Sequence, residues 1–271
     1  MKVVLFCGGL GTRLRDFSEA IPKPLVSIGY RPIIWHVMKY YAHYGHKDFI
    51  LCLGYKADLI KSYFLNYNEC TSNDFTLING EKIQLLNSDI HDWNITFVDT
   101  GLHSNIGQRL KLVQKHLENE EVFLANYSDG LTDLILPEAI DKFYFTDKIA
   151  GFLSVRPSQT FHLIYTQKNG IVTQIKDVIQ ANLRINGGYF VFKNQIFDYI
   201  NDKEELVYEP FQRLINLEQL FAYEYNGFWA CMDTFKEKQQ LENMFAQGNA
   251  PWEVWKQNKN LTTGSLSKQV I

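Results

Sequence analysis

The chain has 271 residues, 46% of them hydrophobic and 21% charged, which excludes disordered, collagen-like and low-complexity classes and leaves material for a sizeable core. Lys plus Arg number 27 against 30 Asp plus Glu, so the net charge of −3 offers no global field for nucleic acid, and an anionic ligand must be met by local charge. No stretch reaches the roughly 18 uninterrupted apolar residues of a membrane span, the apolar run Met1–Cys7 is too short for a signal-peptide core, and Cys7, Cys52, Cys70 and Cys231 lack metal spacing, so a cytoplasmic protein with reduced thiols is expected.

Lys2–Cys7 is β-branched and apolar and ends in glycines, as a buried parallel strand before a ligand loop does. Residues 31–44 carry Ile33, Ile34, Val37, Met38, Tyr41 and Tyr44 at helical spacing, with Gly45 as the stop. A strand over 49–53 and a helix over 56–66 follow; residues 67–93 are a polar excursion with room for one hairpin. Then come a strand over 94–98, a helix over 106–117 and a strand over 122–125 ending at Asp129-Gly130. This alternation predicts right-handed crossovers and a doubly wound, three-layer, mostly parallel α/β sheet. Strand-like runs at 150–155, 161–166, 171–175 and 185–192 with short polar links predict a small mixed β region, followed by helical stretches near 194–200, 209–218 and 234–247. The expected organisation is one domain over 1–256, with a ligand half to about 148, a second half over 149–232, a helical part over 233–256 and a mobile tail over 257–271.

Gly8-Gly9-Leu10-Gly11-Thr12-Arg13-Leu14 follows the first strand, where α/β sheets bind ligands and where glycines let backbone N–H groups approach phosphate oxygens. It is not a dinucleotide fingerprint, because Leu14 stands where the third glycine belongs, nor a P-loop, because no Gly-Lys-Ser/Thr follows. Arg13, Arg15 and the Lys23 of Pro22-Lys23-Pro24 add three fixed positive charges. Arginine clamps phosphates with two donors, whereas lysine acts as a point charge.

With these residues the chain resembles the sugar-1-phosphate nucleotidylyltransferase family, whose signature is GGxGTRL followed by a PKP-type lysine segment. Within it the similarity is to the branch that joins CTP to glucose 1-phosphate. Supporting stretches include Gly54-Tyr55-Lys56, Val98-Asp99-Thr100-Gly101, Arg109-Leu110-Lys111, Ile185-Asn186-Gly187-Gly188, Gly227-Phe228-Trp229, Met232-Asp233-Thr234 and Ala250-Pro251-Trp252. The resemblance implies a Rossmann-like nucleotidyltransferase fold in which residues 149–232 bind the acceptor. It also implies nucleotidyl transfer to a sugar 1-phosphate with release of pyrophosphate, a Mg²⁺ cofactor and a homo-oligomer.

The resemblance also implies roles. Arg13 and Lys23 would be catalytic, and Gly8, Gly9, Leu10, Gly11, Thr12, Gly107, Arg109 and Asp129 would contact nucleotide. Asp129 and Asp233 would hold the metal. Read alone, Asp129 is a turn residue and Asp233 a helix N-cap; Arg109 is equally a helix-surface charge. Trp252 and Trp255 would bury against another subunit or against their own.

The chain departs from the family on the acceptor side. Ile175-Lys176-Asp177-Val178-Ile179-Gln180 stands where the family has a Glu-Lys-Pro segment, so Val178 replaces the lysine that meets the acceptor's phosphate. His162 replaces a glycine of the loop against the sugar, and Gln108 replaces a glycine below the nucleotide. Lys176 or Arg184 then supplies the missing charge, with His162, Asn186 and Gly187 the other acceptor-side candidates. Otherwise the acceptor is a different phosphorylated compound, the nucleotide is another NTP, or the protein binds nucleotide without catalysis. A dehydrogenase is disfavoured by the missing third glycine.

Overall fold

The computed structural model describes residues 1–9, 21–157, 161–181 and 183–257. In chain order the first half contains β1 (Val3–Phe6), β2 (Ser27–Ile28), β3 (Arg31–Pro32), α1 (Ile33–His43), β4 (Asp48–Leu53), α2 (Ala57–Leu65), β5 (Phe75–Ile78) and β6 (Lys82–Leu85). Then follow β7 (Asn94–Asp99), α3 (Ile106–Val113), β8 (Val122–Asn126), β9 (Gly130–Thr132) and α4 (Leu136–Thr146). The second half adds β10 (Ala150–Val155), β11 (His162–Thr166), β12 (Val172–Asp177), β13 (Ile185–Lys193), α5 (Glu209–Asn216), β14 (Leu220–Glu224), β15 (Trp229–Cys231), α6 (Phe235–Ala246) and α7 (Val254–Gln257).

Seven strands form one sheet in the order β14-β10-β13-β8-β1-β4-β7. β1 lies parallel to both β4 and β8, β4 to β7, and β10 to β14; β13 runs antiparallel to β8 and β10. Of the second half, β10, β13 and β14 extend the first sheet, the β11–β12 hairpin stands outside it, and β15 pairs with β9. Alternation along β1 sends Val3 and Leu5 into the core beneath α1, and Val4 and Phe6 into the core beneath α3. Both faces are covered, so all four residues are buried and the strand reads as a continuous apolar run.

Elements beyond the sequence-based expectation include α4 and β14. α4 buries Leu136, Ala139, Ile140 and Phe143, a helical spacing that begins with a proline in the first turn. β14 is five residues long and pairs in parallel with β10, a partner far away in sequence. The polar excursion does contain one hairpin, β5–β6. It is tied to α1 by Asp89, which accepts from Lys39 at 3.0 Å, Tyr67 at 2.9 Å, Ser72 at 2.6 Å and Asn73 at 2.9 Å. Trp252 is buried in its own subunit, its indole N–H donating to His36 Nδ1 at 3.3 Å, while Trp255 packs edge-on against Trp35. Among the described residues no helix is long and apolar enough to cross a membrane, and the four cysteines are free thiols.

Candidate active site

A cavity of about 390 Å³ opens at the carboxyl ends of β1 and β8. It is lined by Phe6 to Gly9, by Lys23, Asp129 and Asp233, and by Ser104 to Ile106, Arg109 and Glu205. This is where an open α/β sheet places ligands.

Lys23 enters the cavity from a 3₁₀ turn, Lys23–Leu25, whose flanking prolines hold the backbone extended before it and stiff after it. Its ammonium lies 2.6 Å from Asp129 Oδ2 and 2.6 Å from Asp233 Oδ1. Burial pulls the lysine pKa down, but the two carboxylates outweigh it and the net shift is upward, so the side chain is a fixed cation.

Each aspartate is placed by a local device. Before Asp129 the chain turns through Ser128, which is left-handed at φ 64°. Its Oγ donates to Phe6 O at 2.8 Å and its N–H to Asn126 Oδ1 at 2.7 Å. Asp233 follows β15, whose end is tied to the Asp129 turn by Met232 N–H donating to Asp129 O at 2.9 Å. The N-cap of α6 is Thr234, not Asp233: Thr234 and Glu237 form a capping box, and Glu237 Oε2 also accepts from Asp233 N–H at 2.8 Å. The Asp233 side chain is thereby directed to the cavity rather than spent on the helix end.

Asp129 and Asp233 present hard oxygen donors to one shared point, which the Lys23 ammonium holds here. Mg²⁺ is commonly bound through one or two carboxylates, with waters and substrate phosphates completing its shell. Among the described residues no cluster of three or more His, Cys, Asp or Glu forms a cation cage. The pair therefore fits a cation shared with a polyphosphate.

Arg109 is almost wholly buried and works on the protein itself. Nη1 donates to Leu53 O at 3.1 Å and Thr100 Oγ1 at 2.7 Å, and Nη2 to Gly8 O at 3.0 Å. It thus ties together the ends of β1, β4 and β7 below the glycine turn, and its pocket-lining edge adds positive charge to the cavity. Gly107, expected to contact nucleotide, is outside the described cavity lining. A Cβ there would lie 2.3 Å from Glu204 O, so close helix-to-loop packing requires the glycine. Gln108 has a local reason too, since it closes the capping box with Asn105 at the start of α3.

The acceptor-side candidates are placed elsewhere. His162 is exposed and pairs with Asp177 across the β11–β12 hairpin, whereas Lys176 pairs with Leu163. Neighbouring pairs face opposite ways, so His162 shares its face with Asp177 and not with Lys176, whose ammonium lies 5.8 Å from the Tyr165 ring centroid. Arg184 is committed to Ser154 O, Tyr225 O, Asn226 and Glu224. Asn186 donates to Tyr127 Oη and accepts from Gly188 N–H, and Gly187 O accepts the Trp229 indole. Val178 is buried. None of these lines the Lys23 cavity. Leu10, Gly11, Thr12, Arg13 and Arg15 lie outside the described residues, as do Gln159, Thr160 and the tail from residue 258.

Sequence reasoning missed Glu205. Its Oε2 accepts from Ile106 N–H at 3.3 Å and its Oε1 from Leu206 N–H at 3.1 Å. Burial raises its pKa against the pull of those donors. No local motif marks it, because only the fold brings the loop before α5 to the start of α3.

A glycine turn at a strand end, a buried guanidinium beneath it and a lysine between two aspartates define an α/β protein equipped to handle phosphates. Residues 2–234 match the family model described as nucleotidyl transferase. The chain is 38% identical over 256 residues to glucose-1-phosphate cytidylyltransferase of Salmonella typhi, covering 94% of this chain and 100% of that one. Among solved structures, an apo UDP-glucose pyrophosphorylase aligns with a TM-score of 0.67 at 14% identity, over 92% of this chain and 99% of that one. HddC from Yersinia pseudotuberculosis aligns at 0.63 and 21%, over 90% and 99%. The chain belongs to the nucleotidyl transferase family.

Proposed function

We propose that the protein transfers the cytidylyl group of CTP to a sugar 1-phosphate, with glucose 1-phosphate as acceptor, giving a CDP-sugar and pyrophosphate. The observation that carries the reading is the convergence of Lys23, Asp129 and Asp233 on one point beside the Gly8-Gly9 turn. The similarity to the Salmonella typhi protein, spanning that protein's whole length, supports the choice of CTP and glucose 1-phosphate.

An oxygen of the acceptor's phosphate attacks the α-phosphorus in line. The new O–P bond forms as the bond from that phosphorus to the bridging oxygen breaks, and pyrophosphate leaves with the electron pair. Lys23 neutralises and orients the reacting phosphates, Gly8 and Gly9 offer a close backbone approach, and Arg109 keeps that backbone in place. Arg13 is assigned to the departing pyrophosphate by resemblance. Asp129 and Asp233 would hold Mg²⁺, whose charge would neutralise the phosphates. A homo-oligomeric cytoplasmic enzyme completes the reading.

The experiment is pyrophosphate release with Mg²⁺ and each of CTP, UTP, dTTP, ATP and GTP, first with glucose 1-phosphate and then with other phosphorylated acceptors. Turnover with CTP and glucose 1-phosphate supports the reading. Turnover only with another acceptor would trace to the acceptor side, where Val178 is buried in place of a lysine. Nucleotide binding with no pyrophosphate from any pair overturns it.

A further inference from the structure

Glu205 shares the cavity with Lys23 but stands on the other side of the sheet's carboxyl edge. The turn that carries Lys23 packs through Leu25 on the core beneath α1, whereas Ile106 and Tyr127 pack on the core beneath α3. The cavity thus has Lys23 with the Asp129 and Asp233 pair at one end and Glu205 at the other.

On the reading above, the Lys23, Asp129 and Asp233 centre takes the phosphates and so orders a nucleotide along it. A triphosphate at the Glu205 end would meet a carboxylate at short range, while the Arg109 guanidinium of α3 is engaged by Leu53 O, Thr100 Oγ1 and Gly8 O, as is the start of that helix by its own neighbours. Of its first-turn donors, Ile106 N–H is held by Glu205 and Gln108 N–H by Asn105. The phosphates therefore belong with Lys23 and the glycine turn, and the nucleoside with Glu205.

The Glu205 carboxylate is fixed by two backbone donors, one to each oxygen. A carboxylate has about four lone-pair sites, so both oxygens keep acceptor capacity toward the cavity. An acceptor-only group distinguishes the pyrimidines at one position: cytosine presents an N4 amine donor where uracil presents an O4 acceptor.

We infer that Glu205 is a specificity-determining residue that accepts a hydrogen bond from the exocyclic amine of cytosine and disfavours uracil. This rests on the CTP reading above. Glu205→Gln keeps the size and exchanges one acceptor oxygen for a donor amide.

The test compares kcat/KM for CTP, UTP and dCTP in the wild type and Glu205→Gln, with Kd for the same nucleotides by calorimetry. A hydrogen bond to a charged group corresponds to about 10 to 150-fold. The wild type is expected to favour CTP by that order, and the variant to lose at least about 10-fold of the CTP-to-UTP ratio. Equal losses for CTP and UTP would make Glu205 a helix-end support and overturn the inference. An unchanged CTP-to-UTP ratio with altered discrimination against dCTP would place it on the ribose and overturn it too. If the variant does not fold, the wild type decides alone: the 2-pyrimidinone riboside triphosphate, which lacks the amine, should bind at least about 10-fold more weakly than CTP. Equal affinity sinks the inference. Absence of transfer with tighter CTP than UTP binding sinks only the transfer reading.

Discussion

The guanidinium of Arg109 fills the space that a side chain at Gly8 would need. A Cβ at Gly8 would lie 2.0 Å from Arg109 Nη1, while Nη2 donates to the Gly8 carbonyl at 3.0 Å. Glycine and arginine are thus one device: the first admits the second, and the second fixes the carbonyl of the first. Arg109→Lys keeps the charge but loses the fork that reaches Gly8, Leu53 and Thr100 together. The expected result is a KM for nucleotide raised by about 10-fold, a smaller change in kcat and a lower Tm, because buried acceptors lose donors worth about 1–3 kcal/mol each. Steady-state kinetics with a thermal melt checks it; an unchanged KM would contradict the positioning role.

Asp129→Asn and Asp233→Asn should each lower transfer by at least about 100-fold, the scale of removing one transition-state electrostatic contact. Each should also move the Mg²⁺ dependence to higher concentration, with the circular dichroism spectrum unchanged. Chelation of divalent cations should stop wild-type turnover reversibly. Full activity in either variant would refute the shared carboxylate site.

His36 supplies a pH prediction. Burial lowers its pKa to about 4 from an ordinary value of 6.5; Ile28 O lies 2.9 Å from its Nε2 and Trp252 donates to Nδ1. The folded state therefore resists a proton that the unfolded chain accepts. The resulting stability is complete above pH 6.5 and falls as the pH drops toward 4, by up to about 3 kcal/mol. Urea unfolding of the wild type and His36→Gln at pH 7.5 and 4.5 should show a smaller acid loss in the variant. Equal losses would remove His36 as the cause.

Asp89→Asn leaves Lys39 and Arg31 without the carboxylate that holds the excursion to α1. Breaking such a buried pair costs about 3–5 kcal/mol, and limited proteolysis should then cut first within residues 67–93. A cleavage pattern like that of the wild type would mean the excursion is anchored by other contacts.

Sequence reading was strongest where periodicity is local. The strand before the glycine turn and the helix of Ile33, Ile34, Val37 and Met38 match their expected positions because each buries a continuous apolar run or stripe. Lys23, Asp129 and Asp233 were legible as residue types, yet their meeting depends on β15 pairing with β9, which no local pattern announces. Glu205 was invisible for the same reason. The helix over Leu136–Thr146 is legible in its apolar spacing and its proline start. Gly107 has a packing reason that a family signature does not record, the approach of Glu204 O at its side.

The most direct test of the account follows the α-phosphate of CTP, labelled with ³²P, in the presence of Mg²⁺ and glucose 1-phosphate. The label should appear in CDP-glucose, with one pyrophosphate released per labelled product and no transfer when Lys23 is replaced by Ala. Label that remains in CTP, or that emerges as CMP with no sugar attached, would contradict the transfer that the Lys23, Asp129 and Asp233 centre is proposed to perform.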